Sequence, residues 1–248
     1  MKVMFVGPSL GIDLAAARAM SPRIDFRPPA ACGDILKAVE DGATAIGLVD
    51  GYFGDLPSVW HKEILYALER DVAVAGGASM GALRAAECAP FGMVGLGAIF
   101  EDYEAGRLID DEAVALVHAP QELGWLPLSV PWVDFEPTIE ALHAHGEISP
   151  GERKKLLLAG RFLHFSERTY AKVVDECHFA RKPRRDHILA AIRKYRVERK
   201  RNDARLVLEW LRRDEFLPVN RDWRFAATSH WELLHAEVTR SVTPVTVE

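Results

Sequence analysis

The sequence predicts an α/β fold: a parallel-sheet core with helices on both faces, followed by a mostly helical C-terminal region. Two patterns carry that prediction. Short apolar runs (Val3–Val6, Ala45–Val49, Val72–Ala75) alternate with stretches of helical periodicity through the first third of the chain, as strands joined by crossover helices do. After Ser149-Pro150-Gly151 the chain then reads as helix upon helix (ERKKLLLAGRFLHF, RTYAKVVDE, DHILAAIRKYRVERK, DARLVLEWLRR). Residues 1–148 are therefore expected to form the core. Residues 149–248 are expected to form a helical, basic region suited to docking a partner.

Val3–Val6 opens the chain as a strand and stops at Gly7-Pro8-Ser9. A helix over Asp13–Ala19 follows, then Ile24–Phe26 and a corner at Pro28 and Pro29. Asp34–Asp41 has helical periodicity with a carboxylate at its start, where the helix dipole favours one. Ala45–Val49 is the second strand, stopped by Asp50-Gly51. Ser58 is placed to cap the helix VWHKEILYALER, whose apolar stripe is Val59, Ile64, Leu65 and Leu68. Val72–Ala75 is the third strand and Met80–Cys88 its helix. Beyond it, residues 91–118 alternate glycines with apolar residues and turn acidic at Asp110-Asp111-Glu112. Gly124–Pro137 reads as an extended lead into a helix, and residues 223–248 as a frayed tail.

Apolar residues make up 49% of the 248, enough for a sizeable core. No run reaches the roughly eighteen apolar residues of a membrane span, and the N-terminus enters a strand directly instead of reading as a signal peptide. Cys32, Cys88 and Cys177 are odd in number and widely spaced, which suits free thiols in a reducing cytoplasm. The nine histidines form no H-E-x-x-H, and His143 and His145 fall on different helix faces, so no metal spacing is present. The net charge of −5 hides a split: residues 1–150 carry 9 Lys/Arg against 22 Asp/Glu, and residues 151–248 carry 22 against 14. The densest basic block, Arg181–Arg201, surrounds an amphipathic core (Ile188, Leu189, Ile192, Tyr195) without aromatic interleaving. That pattern fits a solvated helix face or a protein-docking surface better than nucleic acid.

The stretch with the most chemistry is VAVAGGASMGALRAAE, Val72–Glu87. Gly77-Ala78-Ser79-Met80-Gly81 fits G-x-S-x-G in a strand–turn–helix setting, the nucleophile elbow that lifts a serine hydroxyl off a strand end. The same residues also describe an ordinary snug βα loop. Ligand crevices of open α/β sheets lie beyond the carboxyl ends of the strands, and three such ends carry Gly7-Pro8-Ser9, Asp50-Gly51 and Gly76-Gly77-Ala78-Ser79.

Several long stretches, FVGPSL (5–10), PPAACGDI (28–35), VDGYF (49–53), VWHKEILYAL (59–68), GASMGALRAAE (77–87), FGMVGLGAIFEDY (91–103) and DDEAVALVH (110–118), together resemble the TfuA-like family. Members of that family accompany YcaO enzymes in peptide backbone thioamidation. The resemblance implies a cytoplasmic hydrolase for RiPP biosynthesis that needs no cofactor and uses a Ser–Lys pair. It would release sulfide from the thiocarboxylated C-terminus of a ThiS-like sulfur carrier. A YcaO partner would use that sulfide on its peptide substrate. Carried onto this chain, the serine is Ser79 and the lysine Lys62.

A lysine can serve as base only when neutral, which burial or the positive end of a helix favours. Lys62 lies in the first turns of its helix, where both are available; a surface lysine beside Glu63 is the plain alternative. His61 is the competing base, or a helix-surface residue. Asp50 orients one of these groups, holds the incoming tail, or is a simple turn residue. Arg84 and Glu87, three apart on one helix face, form a salt bridge, or Arg84 neutralises the thiocarboxylate. The N–H of Met80, with a second donor from Gly51 or the Gly7 loop, would hold an oxyanion. Asp110, Asp111 and His118 form a second acidic lobe, complete a triad, or sit at a solvated helix start. Gly92, Gly95 and Gly97 allow close packing or admit a narrow substrate tail. A non-catalytic adaptor that binds YcaO and its peptide, and a general esterase or peptidase, are the competing functions.

Overall fold

In the computed structural model, which describes residues 1–54, 56–179, 182–216 and 222–242, five strands form one parallel sheet. They are β1 (Lys2–Phe5), β2 (Ile24–Arg27), β3 (Ala45–Leu48), β4 (Ala73–Gly77) and β5 (Val94–Leu96), in the order β2-β1-β3-β4-β5. In register Lys2 faces Ile24 and Ala45, and Ala45 faces Ala73. Strands β2 and β5 were not among the three expected. Ile24–Arg27 is cut short by Pro28, and Val94–Leu96 is hidden among glycines, so neither shows a long apolar run.

The two-residue period of the strands sorts their side chains. Val3, Phe5, Ile46, Leu48 and Val74 pack against α2 (Asp34–Glu40), α3 (His61–Glu69) and α4 (Met80–Cys88). Met4, Val6, Ala45, Val49 and Ala75 face the other way, onto α1 (Leu14–Met20) and onto α10 (Arg199–Leu211). Helix α10 comes from the far end of the chain. Its stripe Ala204, Val207, Leu208 and Leu211 lies so close to the sheet that a Cβ at Gly47 would meet Leu211 Cδ1 at 2.6 Å. One C-terminal helix thus shares with α1 the covering of this face of the sheet.

A second apolar cluster joins α5 (Ala98–Glu104), α6 (Trp132–Ala144), α7 (Pro150–Phe162), α8 (Tyr170–Glu176) and α9 (Lys182–Tyr195). The expected division at 148/149 runs between α6 and α7, which share that cluster through Phe135, Ile139, Leu142 and Leu156. Helix α11 (Ser229–Val242) replaces the expected frayed tail up to residue 242: Trp231 is buried, and Leu234 and Val238 pack on the core. Residues 243–248 and Arg181 lie outside the described residues. Much of the basic block is neutralised internally, by Arg184–Glu152, Arg185–Asp175, Arg199–Asp102 and Arg201–Glu198 pairs. Arg196 lies near Glu198, and Lys194 lies over Tyr195. Among the described residues no helix is long and apolar enough to cross a membrane.

Candidate functional site

The strand order reverses between β1 and β3, and the crevice beyond their carboxyl ends is where a doubly wound sheet holds its ligands. A cavity of about 100 Å³ sits there. Asp50, Gly51, Ser79, His118, Phe165 and Lys200 are among its lining residues.

Ser79 follows β4 and caps α4. The bend that presents it is steep. Ala78 takes the left-handed conformation at φ 67°, which costs a residue with a side chain about 1–3 kcal/mol. Ser79 N–H bonds Gly77 O at 2.8 Å, and Gly81 N–H bonds Val49 O at 3.1 Å, tying the helix start to the end of β3. Glycine at 76 and 81 is enforced by contact. A Cβ at Gly76 would meet Gly81 O at 2.1 Å, and one at Gly81 would meet Leu48 O at 1.8 Å. The Ser79 side chain makes no capping bond to its own helix, so the hydroxyl is left for the cavity.

Asp50 is 2% exposed. Its Oδ2 accepts from Gly7 N–H (2.8 Å) and Ser9 N–H (3.0 Å), and its Oδ1 from Ser9 Oγ–H (2.6 Å). One carboxylate thereby fixes the β1 loop against the β3 loop. This sets Gly7 aside as an oxyanion donor, because its N–H is already spent on Asp50. Gly51 and Met80 do adjoin: a Cβ at Gly51 would lie 2.8 Å from Met80 Cγ. Met80, as the first residue of α4, has no acceptor for its N–H within the helix.

Lys200, in the first turn of α10, is 3% exposed. Its Nζ donates to Val114 O at 2.7 Å, and its backbone N–H to Asp134 Oδ1 at 3.1 Å. Burial disfavours the ammonium and holds its pKa below the ordinary lysine range, against the pull of Asp50 and Asp134. Asp134 is itself pushed up to about 6 by burial, opposed by the Lys200 N–H and charge.

Lys62 is placed elsewhere. Its Nζ bonds Ala226 O and lies 5.1 Å from the Phe225 ring centroid, and it is not among the residues lining the Ser79 cavity. The reason is helical rotation. The side of α3 that carries Glu63, Ile64, Ala67 and Leu68 is buried; residue 62 lies about 200° around the helix from Ile64, one turn before Tyr66, whose ring packs with Phe225 and Trp231. His61 likewise points outward, with Nε2 2.7 Å from Glu87 Oε2. Glu63 is fully buried and structural: its oxygens accept from Trp60, Gly33 and Leu36 N–H, joining the starts of α2 and α3. Burial raises its pKa against those three donors.

Arg84 is clamped by Val59 O (2.9 Å), Ser58 Oγ (3.3 Å) and Glu87 (2.7 Å). The salt-bridge reading is the one seen, and neither Arg84 nor Glu87 lines the cavity. Burial works against the Glu87 carboxylate, but hydrogen bonds from His61 and Arg84 hold its pKa low. Asp110 and Asp111 are exposed and away from the cavity. His118 lines it, with Nδ1 2.9 Å from Ala119 O and its ring edge-on to Trp125. Gly95 and Gly97 serve packing, since a Cβ there would strike Phe100 and Asp203 at 2.2 Å. The three cysteines are free, and burial favours the thiol form in each.

Lys200 was missed, and Ser9 was read only as part of the β1 loop, without its bonds to Asp50. A signal for Lys200 was present: it stands 4, 7, 8 and 11 positions before Ala204, Val207, Leu208 and Leu211, on their buried stripe. A lysine on an apolar stripe calls for a partner. The surrounding basic run Arg193–Arg201 masked it.

In comparison with known proteins, the family model described as TfuA-like protein matches residues 50–169. No curated protein matches the chain. The matched span contains Asp50, Gly51, Ser79 and His118, and ends before Lys200.

Proposed function

The chain belongs to the TfuA-like family through residues 50–169, a family that implies a role associated with thioamidation, and on that premise we propose a serine–lysine hydrolase. Its substrate is the thiocarboxylated C-terminus of a ThiS-like sulfur carrier, and its product is sulfide for a YcaO partner that thioamidates a peptide backbone. One observation carries this reading. A serine on a strained elbow and a lysine disfavoured as an ammonium line the same small cavity at the sheet's switch point.

In the proposed reaction Ser79 Oγ attacks the thiocarboxylate carbon as neutral Lys200 Nζ takes the hydroxyl proton. The amine keeps its place by donating to Val114 O, which leaves its lone pair for that proton. The thiocarboxylate is an anion and repels a nucleophile. The newly formed ammonium of Lys200 offsets that charge, the duty once expected of Arg84. The N–H groups of Met80 and Gly51 receive the oxyanion, each donor contributing about 3–4 kcal/mol of barrier lowering. Lys200 then hands its proton to sulfur as the C–S bond breaks. Water hydrolyses the acyl-serine by the same relay, so that R–COS⁻ and H₂O give R–COO⁻ and H₂S. Asp50 positions the β1 loop and its charge favours the transient ammonium.

The test is sulfide release from a purified thiocarboxylated carrier. Ser79→Ala and Lys200→Met are each expected to lower the rate at least about 100-fold, and Lys62→Ala to leave it near the parent rate. Loss with Lys62→Ala and retention with Lys200→Met would overturn the assignment of the base. Full rates in all three would reject the hydrolase and leave a non-catalytic adaptor.

A further inference from the structure

The two steps of the proposed reaction make different demands on the cavity. Acylation removes a single proton, from Ser79 Oγ–H, and the lone pair of Lys200 Nζ is enough to take it. Deacylation begins with water, which brings two O–H donors to the same place. Lys200 accepts one of them. The other needs a second acceptor, because a donor left unpaired away from bulk water is disfavoured and a water held by one bond is free to turn. The cavity, about 100 Å³, has room for one water beside an acyl end. Resting on the hydrolase reading, we infer that His118 is that second acceptor: its Nε2 holds the hydrolytic water while Lys200 takes the water's other proton.

His118 lines the cavity together with Ser79 and Lys200. Its Nδ1 lies 2.9 Å from Ala119 O, and since a carbonyl only accepts, the proton of the neutral ring sits on Nδ1. Nε2 then keeps a lone pair, and none of the described residues donates to it. Other acceptors in the lining are less available. Val114 O already receives Lys200 Nζ. Asp50 accepts three bonds from Gly7 and Ser9, most of its capacity of about four. Tyr52 keeps its own phenolic proton, favoured by burial and the Asp34 charge, and is a weaker acceptor than an imidazole nitrogen.

A rigid turn holds the ring in place. His118 pairs with Pro127 across an antiparallel bridge. Ala119 N–H bonds Leu126 O and Leu128 N–H bonds Val117 O, both at 2.8 Å, and close the turn over residues 117–128. Trp125, within it, is buried and takes the left-handed conformation at φ 59°. Its ring meets the His118 ring edge-on, with centroids 5.2 Å apart. A left-handed tryptophan is strained, and such strain persists only where the surroundings over-determine it. Trp125 also rests on the β1 loop, where a Cβ at Gly7 would come 3.2 Å from Trp125 Cδ2. The loop that Asp50 fixes therefore also backs the wedge against His118.

In this step the water oxygen attacks the acyl carbon and one water proton passes to Lys200 Nζ. The other proton stays on oxygen, bonded to His118 Nε2. Collapse of the tetrahedral intermediate breaks the C–Oγ bond, and the Lys200 ammonium returns its proton to Ser79 Oγ. The carboxylic acid so formed loses its proton to solvent and leaves as the carboxylate.

The experiment separates the two steps by rapid quench with purified thiocarboxylated carrier. His118→Asn keeps an amide N–H near the place of Nδ1, for Ala119 O, and has no acceptor near that of Nε2. His118→Gln reaches further and sets an amide oxygen there. His118→Asn is expected to release about one equivalent of sulfide per enzyme at the parent rate, then to turn over at least about tenfold more slowly. An ester between the carrier and Ser79 should accumulate, read by mass spectrometry of the denatured protein. The burst itself shows that the variant is folded. His118→Gln is expected to recover most of the turnover. Turnover of His118→Asn within about twofold of the parent, a burst lost along with turnover, or equal losses in both variants would overturn the inference. A parent that releases no sulfide sinks the hydrolase reading and this inference with it. Sulfide from the parent beside an unslowed His118→Asn sinks this inference alone.

Discussion

Replacing Gly81 by alanine tests whether the elbow depends on direct contact between α4 and β3. The added Cβ would sit 1.8 Å from Leu48 O, 2.6 Å from Leu48 C and 3.2 Å from Val49 Cα. All three are backbone atoms of a strand buried on both faces, so no side chain can swing aside. Restoring contact to about 3.4 Å lifts the start of α4 by roughly 1.6 Å, and the Gly81 N–H bond to Val49 O, 3.1 Å long, is lost. Overpacking of this kind costs about 1–3 kcal/mol, and the orphaned N–H about 1–3 more. Alanine's helix preference returns up to about 1 kcal/mol. The net loss of about 1–6 kcal/mol corresponds to a melting temperature lower by about 10 °C at its centre, at roughly 2–4 °C per kcal/mol for a chain of this size. Gly151→Ala, where nothing lies within 4 Å of the added atom, is the control. Thermal unfolding followed by circular dichroism reads both. At temperatures where Gly81→Ala stays folded, the displaced Met80 N–H is expected to lower sulfide release about 100-fold. A melting temperature within about 2 °C of the parent would refute the contact argument.

Lys200 gives a pH signature. Its folded pKa lies below the ordinary value of about 10.4, so the unfolded chain binds the extra proton. The stability contribution is then complete above about pH 10.4 and is lost as pH falls toward the folded pKa. In denaturant titrations Lys200→Met is expected to flatten that rise, and an unchanged slope between about pH 8 and 10 would contradict it. Asp50→Ala removes the acceptor of three bonds to Gly7 and Ser9. Amide exchange in residues 7–9 should accelerate at least about tenfold while β4 is unaffected. Glu63→Ala leaves the N–H groups of Trp60, Gly33 and Leu36 without their acceptor and should cost about 2–5 kcal/mol in chemical unfolding with activity per folded molecule retained.

Three of the five strands were legible because each is an uninterrupted apolar run, and the elbow was legible because close contact leaves glycine little choice at 76 and 81. The position of Lys62 was also within reach of the sequence. Its own helix buries Ile64 and Leu68, and residue 62 falls about 200° from Ile64, on the strip of Tyr66 that packs with Trp231 of α11. What local patterns could not supply was the return of α10 to the sheet. That contact joins residues more than a hundred positions apart, and only tertiary packing brings Lys200 to the cavity that Ser79 lines. The C-terminal basic charges likewise looked free because their carboxylate partners, such as Asp102 and Glu152, lie in other elements.

The most direct measurement is the titration of the lysine side chains by heteronuclear NMR in protein labelled at the lysine Cε and Nζ, assigned through Lys200→Met and Lys62→Met. One signal, missing only from Lys200→Met, is expected to titrate below the others. If the Lys200 signal titrates with the surface lysines near about 10.4, the neutral base beside Ser79 does not exist and the proposed relay has no first step.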